Sequence, residues 1–342
     1  MDSEGMNVAT IKEIAEKANV STATVSRVLN HDKSLSVTDE TRERIISIAN
    51  ELNYVPVRKR QTERNQESVA INRIFGLEMW YAPEYEWEDT YFLSIRKGIE
   101  QECSERGITL RKLKHDWRDK RENYEDLDGL IVIGALEDET KVDKVSPVVL
   151  VNDSTENPKY DNVVLDYEKA TEQAIEHLLM LGHTKIGFIG GMHQTGEEEI
   201  KDLRQRAFES ILQEKGLLKE EYIFLSSRFL VSDGYECMKQ LIRNEQRPSA
   251  LFVASDAMAI GAIRAAHEAG MKVPSDISIV SFNDVEMAAF TQPAITTVKV
   301  YTEEMGRTAV KLILDQLNGR TIPIKAVLPT NLVIRESAKE YR

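Results

Sequence analysis

The chain has 342 residues and is 42% hydrophobic, more than one core usually holds, so two or three units are expected. It has no run of the roughly 18 apolar residues a membrane helix needs, its start MDSEGMNVATIKEIAEK is polar and unlike a secretory leader, and Cys103 and Cys237 are its only cysteines, which excludes a disulfide framework and points to a reducing cytoplasm. The net charge of −13 is uneven: residues 1–64 hold ten Lys/Arg and ten Asp/Glu, the remainder 34 against 47, so this acidic body could approach nucleic acid only through locally placed cations.

Thr10-Ile11-Lys12-Glu13 reads as a capping box. Ile11, Ile14, Ala15 and Ala18 follow at i, i+3, i+4 and i+7, one apolar stripe of a short helix. Asn19-Val20 interrupts it, and Ser21 can cap a second helix from Thr22 to about Leu29. There Val25, Val28 and Leu29 face inward, while Thr22, Ala23, Ser26 and Arg27 face out. A third helix is predicted from Thr38 to near Asn53, burying Ile45, Ile48, Ala49 and Leu52. Two short helices joined by a tight turn and braced by a third make a helix-turn-helix. Its second helix enters the major groove with its first turns against the bases. Small side chains at Ser21, Thr22, Ala23, Thr24 and Ser26 admit that approach. Arg27 can bridge guanine O6 and N7. A small helical subdomain without a ligand would share the same spacing.

These residues carry a resemblance. TIKEIAEKANVSTATVSRVLN, then VTDETRERI and LNYVP, resemble the DNA-binding head of the LacI/GalR family of bacterial transcription regulators. The resemblance implies base reading by Thr22, Ala23 and Arg27, and phosphate contacts by Ser21, Thr24, Ser26 and Asn30. It implies a head over residues 6–57, a linker over 58–72 and an effector and dimerisation domain over 73–340. The linker departs from the family, which carries a leucine there that wedges into the minor groove. No leucine lies between Asn53 and Leu77, and the run Arg58-Lys59-Arg60 stands in its place. A basic linker that attracts phosphates without a sharp kink is expected, although composition alone also fits a solvated charge run.

From Arg73 onward ten short apolar runs recur, from RIFGLEMW to TTVKV, with amphipathic stretches such as YEKATEQAIEHLLMLG between many of them. Continuous apolar strands alternating with helices predict parallel sheets covered on both faces. Ten strands suggest two such sheets. Ligands in these folds bind beyond the carboxyl ends of strands. Asp89, Tyr91, Phe92, Asn152, Arg204, Ser255 and Asn283 sit at such ends or at the helices after them. Amides, a carboxylate and a guanidinium beside aromatic faces suit a polyhydroxylated ligand. Each of these residues alone could equally be a helix cap or turn residue; Asp256 in particular could cap the helix after ALFVA.

The resemblance continues to VLPTNLVIRES. It implies an all-α helix-turn-helix head followed by an α/β two-lobed, periplasmic-binding-protein-like effector domain whose lobes are joined by three crossings. It adds Phe229 to the effector contacts and makes the protein a homodimeric, sugar-responsive repressor of operator DNA. DTYFLSIRKGIE and TTVKVYTEEMG look most like galactose- or β-galactoside-type repressors. The short stretch KLKHDWRDKRENYEDLDG suggests that a helix and a strand of the first lobe are trimmed. No cofactor, metal or catalytic residue is expected: Gly187, Gly190 and Gly191 miss dinucleotide spacing, and His177 and His183 lack ligands at metal spacing. A regulator answering to a partner protein and a sugar-acting enzyme are the alternatives.

Overall fold

The computed structural model of the protein describes residues 10–29, 37–52, 54, 73–79, 90–113, 124–134, 145–153, 157–195 and 198–341. Residues 1–71 and 72–342 form two compact units.

The first unit holds helices α1 (Ile11–Ala18), α2 (Thr22–Leu29) and α3 (Asp39–Glu51). The Thr10 hydroxyl accepts from the Glu13 amide at 3.3 Å, and the Glu13 carboxylate accepts from the Thr10 amide at 2.8 Å. This reciprocal cap satisfies two donors the helix leaves open. Asn19, at φ 52°, ends α1, in a left-handed conformation that asparagine tolerates. The Ser21 hydroxyl then accepts from the Thr24 amide at 3.1 Å and starts α2. Thr38 caps α3 through the Thr41 amide at 3.3 Å. Ile14, Ala18, Val25, Val28, Ile45 and Ala49 close a core between the three helices, with Leu29, Ile48 and Leu52 packed against it. Each fully buried aliphatic there stabilises by about 1.5–3 kcal/mol. The other face of α2 leaves Thr22, Ala23 and Arg27 exposed, with Thr24 and Ser26 half-buried.

The second unit starts with β1 (Ile74–Met79), α4 (Tyr91–Glu105), β2 (Thr109–Lys112), β3 (Gly129–Ile133), β4 (Val148–Val151) and β5 (Asp161–Leu165). Its chain crosses through α5 (Tyr167–Met180) to a second sheet. There it lays down β6 (Ile186–Gly191), a hairpin of β7 (His193–Thr195) and β8 (Glu198–Ile200), α6 (Leu203–Glu214) and β9 (Ile223–Ser226). Next come α7 (Val231–Arg243), β10 (Ala250–Val253), α8 (Asp256–Glu268), β11 (Ser278–Asn283) and β12 (Thr296–Val300). The chain returns through α9 (Thr302–Leu317) to β13 (Lys325–Leu328) and crosses a third time to β14 (Thr330–Val333).

The sheets run β13-β5-β4-β3-β1-β2 and β14-β12-β11-β10-β6-β9. Every pairing in them is parallel except β12 with β14. All ten predicted strands form; β7, β8, β13 and β14 are additional. The first sheet is six-stranded even with a short connection between β2 and β3, because β13 supplies its edge; residues 114–123 of that connection lie outside the described residues. Consecutive parallel strands put their carboxyl ends on one side of each sheet. Asn152, Tyr167, Ser255 and Asn283 therefore gather just beyond β4, β5, β10 and at the end of β11.

Glycines set the closest helix contacts. A methyl group at Gly98 of α4 would run into the Glu303 carbonyl of α9, and one at Gly261 of α8 into the Val231 carbonyl of α7. Hydrogen at those positions lets the backbones of each helix pair touch.

Candidate effector site and DNA-reading face

Asn152 leaves β4 at φ 61°. This left-handed conformation is open to asparagine at little cost and would strain a β-branched residue. Its side-chain oxygen accepts two phenols, from Tyr167 at 2.6 Å and from Tyr91 at 3.0 Å. The shorter distance suits O–H···O better than N–H···O. With the oxygen doubly occupied, the amide nitrogen is left as a donor with no partner among the described residues. Burial holds the Tyr167 phenol above its usual range, with the Arg204 charge opposing that shift, so Tyr167 is a neutral donor at physiological pH.

Arg204, in the first turn of α6, stands at the centre of the second group. Its guanidinium lies 4.9 Å from the Phe229 ring centroid, 5.6 Å from Phe282 and 6.0 Å from Tyr167, within cation–π range of all three. Nε and one terminal nitrogen donate to the two oxygens of Asp202 at 2.7 and 2.8 Å; the other terminal nitrogen donates to the Ala254 carbonyl at 2.6 Å. Burial opposes the charge, but Asp202 holds Arg204 protonated. Five N–H groups less three bonds leave two without a partner among the described residues. Tyr167 stacks on Phe282 at 6.0 Å, and Tyr91 meets Phe92 edge-on at 5.2 Å.

The remaining expected contacts differ in kind. Ser255 caps α8, accepting from the Met258 amide at 3.2 Å and donating to the Phe229 carbonyl at 3.4 Å, so its hydroxyl is largely committed to the fold. Asp256 does not cap that helix. It is buried and accepts from the Ser281 and Thr297 hydroxyls and the Val285 amide, tying α8 to β11 and β12. Asn283, at φ 113°, has no side-chain partner among the described residues. Asp284 beside it pairs with Arg335 at 2.6 Å and Lys299 at 3.5 Å. Asp89, and with it Asn30, Arg58, Lys59 and Arg60 of the DNA-contact set, lies outside the described residues.

Tyr167, Asp202 and Phe282 belong to this cluster and were not expected. Tyr167 stands directly after the β5 run in NVVLDYEKA, so the strand-end rule would have found it. Asp202, two residues before Arg204, caps α6 by accepting from the Arg204 amide at 2.9 Å, a cap signal that preceded the helix. A concavity of about 440 Å³ lined by Tyr167, Arg206 and Lys325 adjoins the cluster, and one of about 650 Å³ lined by His183, Asp276 and Tyr341 lies away from it. Neither includes Arg204 or Asn152, which are held by direct side-chain contact instead.

Among the described residues no helix is long and apolar enough to cross a membrane, and no cluster of His, Cys, Asp and Glu could hold a metal ion. Residues 10–57 match the model of bacterial regulatory proteins of the lacI family, and residues 175–338 that of the periplasmic binding protein-like domain. The HTH-type transcriptional repressor MelR of Bacillus subtilis (strain 168) is 45% identical over 338 residues, 96% of each chain. Two solved structures are similar over nearly the whole chain, each 25% identical. The transcriptional regulator CelR–cellobiose complex has a TM-score of 0.67 and is matched over 96% of this chain and 99% of its own. The lac repressor dimer bound to operator and the anti-inducer ONPF has a TM-score of 0.65, over 97% and 100%. This chain therefore belongs to the lacI family of bacterial regulatory proteins: it is a DNA-binding transcriptional repressor with a periplasmic-binding-protein-like domain, and not an enzyme.

Proposed function

We propose that the protein represses a sugar-utilisation operon as a homodimer, and that a small sugar bound between the two lobes controls its grip on the operator. Thr22, Ala23 and Arg27 read base edges, while Ser21, Thr24 and Ser26 hold phosphates. Asn30, Arg58, Lys59 and Arg60 join them as backbone contacts. One short recognition helix reads few bases, and two half-sites multiply that specificity. The effector contacts are Asp89, Tyr91, Phe92, Asn152, Arg204, Phe229, Ser255 and Asn283.

The observation that carries this reading is the cluster around Arg204 and Asn152. Two guanidinium N–H groups and an amide nitrogen stand unpartnered among the described residues, beside three aromatic rings. Sugar hydroxyls accept from such donors, and aromatic faces cover the apolar face of a pyranose. The CelR relative holds cellobiose, which supports a sugar here. The stretches around Tyr91 and Thr297 favour galactose or a β-galactoside. A thermal-shift screen of sugars tests the reading, because a ligand bound only to the folded state raises its melting temperature. Galactose or lactose should raise it, and Arg204→Ala should abolish the shift. No shift with any sugar would overturn the proposal.

A further inference from the structure

Arg204 is the most enclosed cation of the cluster, and its charge is already answered. The Asp202 carboxylate runs alongside the guanidinium in a two-point fork, while also capping α6. Both side chains are largely withdrawn from water, with 12% of the Arg204 side chain and 5% of the Asp202 side chain exposed. The fork spends the Nε edge, one of the two edges at which a guanidinium can meet an anion at two points. Three other cations of this lobe are also paired: Arg228 lies 3.6 Å from Asp233, and Lys299 and Arg335 share Asp284, whereas Arg206 in α6 is exposed.

A neutral hydroxyl needs only a donor, which the two remaining N–H groups of Arg204 supply. A phosphate group differs. Leaving water costs it far more, and that cost must be offset by positive charge or by several aimed donors, against which a nearby carboxylate works. A phosphate placed on Arg204 would also lie close to the Asp202 carboxylate, and like charges at short range repel. We propose that Asp202 is a specificity-determining residue that restricts the site to uncharged sugars and turns away their phosphorylated forms. This rests on the sugar reading above and adds to it the ligand's charge and the residue that selects it.

Calorimetric titration of the full-length protein with galactose, lactose and galactose 6-phosphate at one ionic strength tests the proposal. The wild-type protein should bind an unphosphorylated sugar at least about tenfold more tightly than the phosphate. Asp202→Asn keeps an oxygen for the helix cap and removes the negative charge, so it should shift that ratio by about tenfold or more toward the phosphate. Asp202→Glu restores the charge and should return the discrimination. Equal or tighter binding of the phosphate by the wild type overturns the role of Asp202. So does an unmoved ratio in a folded Asp202→Asn protein. If that variant does not fold, the wild-type ratio decides alone. Failure of the wild type to bind any of these ligands would instead sink the galactoside reading, and this inference with it.

Discussion

Asp256 shows how burial and hydrogen bonding compete at one carboxyl. Burial pushes it up to about 7, while the Ser281 and Thr297 hydroxyls and the Val285 amide pull the other way. Unfolded, it would titrate near 4. Between those values the folded protein binds more protons than the unfolded chain, so this group's contribution to stability falls as pH rises from about 4 to 7 and is constant above. Asp256→Asn should remove that part of the slope. Melting curves across pH 5–8 check this, and identical slopes in both proteins would contradict it. Arg27 raises a different question at the same scale. It is exposed on α2, and Arg27→Ala should cost roughly 1–3 kcal/mol on the operator while random DNA is affected much less. Gel-shift titrations on both DNAs measure the difference; equal losses would make Arg27 a phosphate contact.

At the scale of elements, the helix pairs α4–α9 and α7–α8 depend on positions without a side chain. Gly261→Ala drives a methyl group into the Val231 carbonyl, and backbone cannot yield as a flexible side chain can. We expect a loss of about 1–3 kcal/mol in urea unfolding, with the head unaffected; an unchanged midpoint would mean that the two helices slide apart freely. The central strands were legible in the sequence because they are buried on both faces, as in the unbroken runs of β3, β4, β6 and β11. β13 and β14 were not. They are edge strands of four residues with no fully buried position, so KAVL and TNLV carry no continuous apolar signal. The site divides in the same way. Asn152, Arg204 and Asn283 follow from strand ends, a rule of topology. Phe282 lies inside the apolar run ISIVSF and reads as core, and the Asp202–Arg204 fork depends on a side-chain geometry that spacing alone does not reveal.

For the whole molecule, charge separates the two tasks. Residues 1–64 sum to zero and can present local cations to DNA, while residues 65–342 carry the entire −13, a charge that opposes non-specific association with DNA. The body contributes ligand recognition instead, and this recognition governs the hold on the operator. A ligand can shift DNA affinity only as far as it distinguishes the DNA-binding state from the other.

The most direct test is operator affinity with and without the sugar that raises the melting temperature, in the wild type and in Arg204→Ala. The wild-type dissociation constant should move by about tenfold, while the variant should bind operator as the ligand-free wild type does and ignore the sugar. A full response in Arg204→Ala, or none in the wild type despite bound sugar, would contradict the account.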